Sequence, residues 1–124
     1  GLVLLHFTCR SQEHPGDPWI KKEIFPVGRV PSLREMESDG ADHRFYTLDV
    51  ESLRRHYNRT LRCWNANFQA HKDEVRKMFD EQFVRMWELY LCACAATFYN
   101  GIIDLHQILW SKGVNNDLPM TRWY

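Results

Sequence analysis

The sequence predicts an α/β chain of three β-strands, with a large helical insertion between the second strand and the third. Three observations predict it. Residues 2–7, "LVLLHF", make a run of strand length that is apolar but for one histidine. Residues 43–50 and 102–110, "HRFYTLDV" and "IIDLHQILW", carry two more strand signals. Between those two, residues 51–100 place apolar side chains at helical spacing.

Each element has its own local reason. Residues 2–7 read as a strand buried on both faces, in the manner of strands in layered α/β proteins. After a polar loop, Asp17 is placed to cap a short helix with Pro18 at its first position. That helix, 18–25, stops at Pro26 and Gly28. Ser32 and Glu35 have capping-box spacing and start a second helix, which ends within 38–42, "SDGAD". In strand 43–50, Tyr46, Leu48 and Val50 fall on one face. A long amphipathic helix begins at Glu51, with Leu53, Tyr57, Leu61, Trp64 and Phe68 on one stripe. It continues after a kink through 72–79, and Asp80 caps the next helix, 81–98. From Leu89 to Phe98 that helix is apolar nearly all round, which predicts deep burial, and Gly101 ends it. Strand 102–110 and a turn at 111–117 follow, and the tail 118–124 receives no element. The first strand would be an exposed hydrophobic edge unless something paired with it, so the chain reads as the later part of a larger sheet.

Composition narrows the function classes. The 124 residues hold 16 Lys and Arg against 16 Asp and Glu, which removes the usual electrostatic argument for a nucleic-acid partner. Aromatic residues make up 14%, pointing to a large core, a greasy pocket or a substantial interface. The four cysteines, Cys9, Cys63, Cys92 and Cys94, form no C-x-x-C pair. Cys92 and Cys94 diverge by about 200° on a helix, so buried reduced thiols of a cytosolic protein are expected rather than a zinc site. The leading apolar run is too short for a membrane span and lacks a basic flank, so it does not read as a signal peptide.

"GLVLLHF", "DPWIKKEIFPVGRVPSLRE", "FVRMWELYLCACAATF" and "IDLHQILWSKGV" together resemble the C-terminal part of the cyclopropane-fatty-acyl-phospholipid synthases. The resemblance runs over essentially the whole chain. It implies a branch of the class I S-adenosylmethionine-dependent methyltransferases, with a Rossmann-like doubly wound sheet. Residues 2–7 then match its fifth strand, 43–50 its sixth and 102–110 its antiparallel seventh, with 51–100 as a helical insertion. The family's glycine-rich cofactor loop has no counterpart here, so no cofactor-binding residue is assigned and tight binding of S-adenosylmethionine to this chain alone is not expected.

The resemblance also implies a reaction: methylene addition across a cis double bond of a phospholipid acyl chain, with a bound bicarbonate removing a proton. Carried over by position, the bicarbonate site takes the imidazole of His6, the backbone amide of Thr8 and the hydroxyl of Tyr57. His6 and Tyr57 are the catalytic candidates. Without the resemblance, His6 would read as a satisfied core or loop histidine and Tyr57 as a packing residue with its hydroxyl at the rim. Arg55, Arg59 and Arg62 form a basic face that touches phospholipid head groups or is simply solvated. Phe83, Met86, Trp87, Tyr90, Leu91, Cys94 and Phe98 line an acyl-chain tunnel or pack a core. His14, His43, His56, His71 and His106 have no metal-ligand spacing and read as surface or second-shell residues. The expected setting is cytoplasmic, peripheral to the inner face of a membrane. Homodimerisation through the open strand edge is expected. The competing reading is a stand-alone, non-catalytic module that binds lipid or protein.

Overall fold

The computed structural model describes residues 1–121. The tail 118–124 is therefore described only as far as Thr121, and its last three residues lie outside the described part. In chain order the elements are β1 (Leu2–Cys9), α1 (Pro18–Glu23), α2 (Leu33–Asp42), β2 (Phe45–Ser52), α3 (Arg54–Ala70), α4 (Lys72–Met78), α5 (Glu81–Tyr99) and β3 (Asp104–Lys112).

The sheet order is β1-β3-β2, with β3 antiparallel to both neighbours. Strands β1 and β2 therefore run the same way and finish at the same end of the sheet, the end where β3 begins. Residues directly opposite one another share a face. One cross-strand row holds His6, Gln107 and Glu51, and the next holds Phe7, His106 and Ser52 on the opposite face.

The local signals act as expected at three caps. Asp17 accepts from the amides of Trp19 and Ile20, Ser32 and Glu35 complete a reciprocal capping box, and Asp80 accepts from Phe83. Other expectations are corrected. Helix α2 runs through "SDGAD" to Asp42, with Gly40 buried against the Trp110 indole, from which a Cβ would lie 3.0 Å. Tyr46, Leu48 and Val50 do not share a face. A bulge between Thr47 and Asp49 leaves Tyr46 opposite Ser111 and Val50 opposite Ile108, neighbours with opposed side chains. Glu51 belongs to β2, not to the helix, which starts at Arg54. Strand β3 starts at Asp104, two residues later than the sequence suggests.

The main core joins α3, α5 and the start of β3: Leu61, Phe68, Val84, Leu91, Phe98 and Leu105. Leu105 shares the face of His6 and Gln107, so the helical insertion covers that face. Helix α2 covers the other face, where Phe45 stacks on Trp110 at 5.6 Å and the indole donates to Thr47 Oγ1 at 3.1 Å. Strand β1 is not buried on both faces. It is an edge strand, and Leu2, Val3 and Leu4 are exposed by 48%, 39% and 61%. Helix α5 is not deeply buried throughout either, since Leu89 and Cys92 face outward.

An unpaired strand edge with exposed aliphatic side chains templates further pairing. The chain is therefore expected to sediment as a dimer or larger species at micromolar concentration, and Leu4→Lys to shift it toward monomer. Sedimentation velocity on both proteins checks this.

Candidate functional site

Open α/β sheets place ligands outside the carboxyl ends of their strands. Here that end gathers His6 and Thr8 from β1, the start of β3 and the start of α3. The turn from β2 into α3 is tied to the sheet by Leu53, whose amide donates to Leu105 O at 2.7 Å. Tyr57 lies one helical turn later, and its own amide donates to Leu53 O.

His6 is exposed and bonds across the sheet: Gln107 Nε2 lies 3.1 Å from His6 Nδ1. Thr8 is half-buried opposite Leu105. Tyr57 is half-buried, with its ring edge-on to Phe98 at 4.8 Å and to Trp64 at 5.9 Å. Burial, and secondarily the nearby Cys94, push its hydroxyl above the usual tyrosine range. At neutral pH it is therefore a protonated donor, as an anion requires. The three candidates are thus assembled around one end of the sheet, on or beside the face that the insertion covers.

The opposite face of the same strand ends carries a polar chain not foreseen in the sequence. Cys9 Sγ lies 2.5 Å from His106 Nδ1, and His106 Nε2 lies 3.8 Å from Asp104 Oδ2. Ser52 donates to both Asp104 oxygens, at 2.9 and 2.8 Å. The Cys9 thiol is fully buried, and burial, followed by the charge of Asp104, pushes it up to about 12. A thiol pushed that high stays protonated at neutral pH, which argues against a nucleophilic role. The chain clamps the ends of all three strands. Antiparallel register was the signal that would have joined Cys9 to His106, and it is absent from local pattern.

Other residues separate by environment. His43 and His71 bond carbonyls of Asp39 and Asn67 at helix ends, each at 2.8 Å. Among the described residues, no group of three His, Cys, Asp or Glu is placed to hold a metal. Cys63 and Cys92 are exposed rather than buried, and Cys92 lines an open groove between α3 and α5. Of the apolar residues singled out on α5, Leu91 and Phe98 are core. Trp87, Tyr90 and Cys94 pack against that core, and Phe83, Trp87 and Tyr90 also form an aromatic row, with centroids 5.9 and 5.0 Å apart, extended by Phe79 and Phe25. Burial, with smaller contributions from Cys94, pushes the Tyr90 hydroxyl up to about 12.

Residues 1–108 match the family described as mycolic acid cyclopropane synthetase. The chain belongs to the mycolic acid cyclopropane synthetase family. Among its curated relatives in this family, the cyclopropane-fatty-acyl-phospholipid synthase of Escherichia coli K12 is 37% identical over 98% of this chain and 32% of its own length. The cyclopropane synthase MmaA2 of Mycobacterium tuberculosis superposes with a TM-score of 0.83 at 31% identity, over 90% of this chain and 44% of that one. The mycolic acid cyclopropane synthase CmaA1, complexed with SAH and CTAB, gives 0.81 at 31% identity, over 89% and 44%. The chain thus spans about a third of the length of the curated synthases it matches. The antiparallel β3 between two parallel neighbours is the arrangement that the family resemblance implies for its last strands. No described helix is long and apolar enough to cross a membrane.

The raised Cys9 and Tyr90 values make stability depend on alkaline pH. A group whose ionisation is raised on folding favours the fold below its unfolded value and loses that contribution as pH climbs to the folded value. The ordinary values are 9.0 and 10.0, and both folded values are about 12. The urea midpoint is therefore expected to fall between pH 9 and 12. Cys9→Ala should shallow that fall when midpoints are measured across the range.

Proposed function

We propose that residues 1–124 form the carboxyl-terminal part of an S-adenosylmethionine-dependent enzyme that adds a methylene across a cis double bond of phospholipid acyl chains. In this reading the alkene attacks the sulfonium methyl, a carbon–carbon bond forms, the thioether leaves and a carbocation remains. A proton then passes from the added methyl to bicarbonate, and the ring closes. The part in hand contributes the anion's donors: the His6 imidazole, the Thr8 amide and the Tyr57 hydroxyl. The observation that carries the reading is the convergence of β1, β3 and the start of α3 at one end of the sheet, beside an apolar insertion. A buried anion without donors is very costly, and donors aimed into an apolar cavity offset that cost. The aromatic row of Phe83, Trp87 and Tyr90 offers the acyl chain an apolar wall.

In the catalytically competent protein containing this segment, His6→Ala and Tyr57→Phe are each expected to lower turnover by at least about tenfold, roughly the loss of one charge-assisted hydrogen bond. The melting temperature should change little. Near-normal turnover in both variants would remove the anion assignment.

The same reading places the enzyme against the bilayer. Helix α3 carries four arginines and no acidic residue in an otherwise charge-balanced chain. Arg55, Arg59 and Arg62 are exposed and take part in none of the ion pairs among the described residues. Juxtaposed cations gain about 1 kcal/mol each at an anionic membrane surface. Binding to phosphatidylglycerol vesicles in a flotation assay is expected to drop at least tenfold in an Arg55→Gln, Arg59→Gln, Arg62→Gln variant, with phosphatidylcholine vesicles bound weakly by both proteins.

A further inference from the structure

We infer that Gln107 is a positioning residue for His6, one that fixes which imidazole nitrogen carries the proton and so presents Nε2–H to the anion. The inference rests on the bicarbonate reading for its consequence, but its geometry stands apart from it.

Gln107 sits directly opposite His6 in the β1–β3 register, and the two share a face of the sheet. The side chains meet through Gln107 Nε2 and His6 Nδ1 at 3.1 Å. A carboxamide nitrogen only donates, so Nδ1 must accept, and a neutral imidazole that accepts at Nδ1 carries its hydrogen on Nε2. The nitrogen left over is therefore a donor, which is what an incoming anion needs. The opposite tautomer would point a bare lone pair at the anion and repel it. Metal-ligating and catalytic histidines are commonly set by the hydrogen bond their second nitrogen makes, and a strand-borne glutamine does the same here.

Gln107 is itself held. Leu105, two residues earlier on the same face, is buried in the main core. Ile108, the next residue, is fully buried on the other face. The His106 side chain, also on that other face, is bonded to Cys9. Strand β3 thus grips the end of β1 from both sides, with Gln107 on His6 and His106 on Cys9. The carboxamide is presented from the central strand of the sheet, whose backbone is paired on both edges. That rigidity is what a positioning group needs.

The test reads the proton directly. Long-range proton–nitrogen spectra of this chain report the tautomer of each imidazole, and His6→Ala assigns the His6 signals by their disappearance. The parent is expected to show His6 with hydrogen on Nε2 and a bare Nδ1. Gln107→Leu should move these signals toward those of an exposed, averaging histidine. Gln107→Glu, which can only accept, should shift the hydrogen to Nδ1. A parent His6 protonated at Nδ1, or averaging like an exposed histidine, overturns the proposal without reference to any variant. So does a folded Gln107→Glu protein whose His6 signals are unchanged. Because no anion or activity enters the measurement, its failure is distinct from normal turnover of His6→Ala, which would remove the bicarbonate assignment instead.

Discussion

Strand β3 is the constraint on which the rest of the structure depends. It is the only described strand paired on both edges, and β1 and β2 meet each other only through it. One face of β3 supplies Leu105 to the core of the helical insertion, and the other supplies Ile108 and Trp110 to the layer under α2. Its first residues also organise the site end: Asp104 receives Ser52, His106 receives Cys9, and Gln107 meets His6. A strand that fills a central position in a sheet fixes the register of both neighbours at once, and a slip by one residue would invert every one of these pairings.

The two faces of the sheet differ in character at the strand ends. On the α2 side, Cys9 is bonded to His106 and Ser52 to Asp104, and these two contacts tie the strand ends together. On the insertion side, His6 and Thr8 share the face covered by the apolar core of α3 and α5, against which Tyr57 packs. Its ring is held edge-on by Phe98 and Trp64, and its hydroxyl stays protonated.

Much of the fold was legible because its signals are local. Asp17, Ser32 with Glu35, and Asp80 announce helix starts within three residues, and the α3 stripe announces a buried face. What was not legible depends on contacts distant in the chain. Gly40 reads as a helix breaker, yet it sits inside α2 and packs so closely on the Trp110 indole that a Cβ would crowd it. The bulge after Thr47 cannot be inferred from alternation, since it breaks alternation. His6 and Tyr57 as chemical groups came from family likeness, not from pattern, and Gln107 became visible only once register put it across from His6. The α5 run from Leu89 to Phe98 misled for a related reason: apolarity all round does not say which side a neighbour will cover.

The order of the strands along the chain differs from their order in space. Cys9 and His106 are 97 residues apart, and of the three described strands the one between β1 and β2 in the sheet comes last in sequence. During synthesis, β1 and β2 emerge before their common partner and wait while the whole insertion follows. Such distant pairing makes for slow closure and leaves aliphatic strand surface available to aggregation in the interval. The short capped helices after β1, and the contacts between α3 and α5, give the nascent polypeptide local structure to form while its sheet remains open.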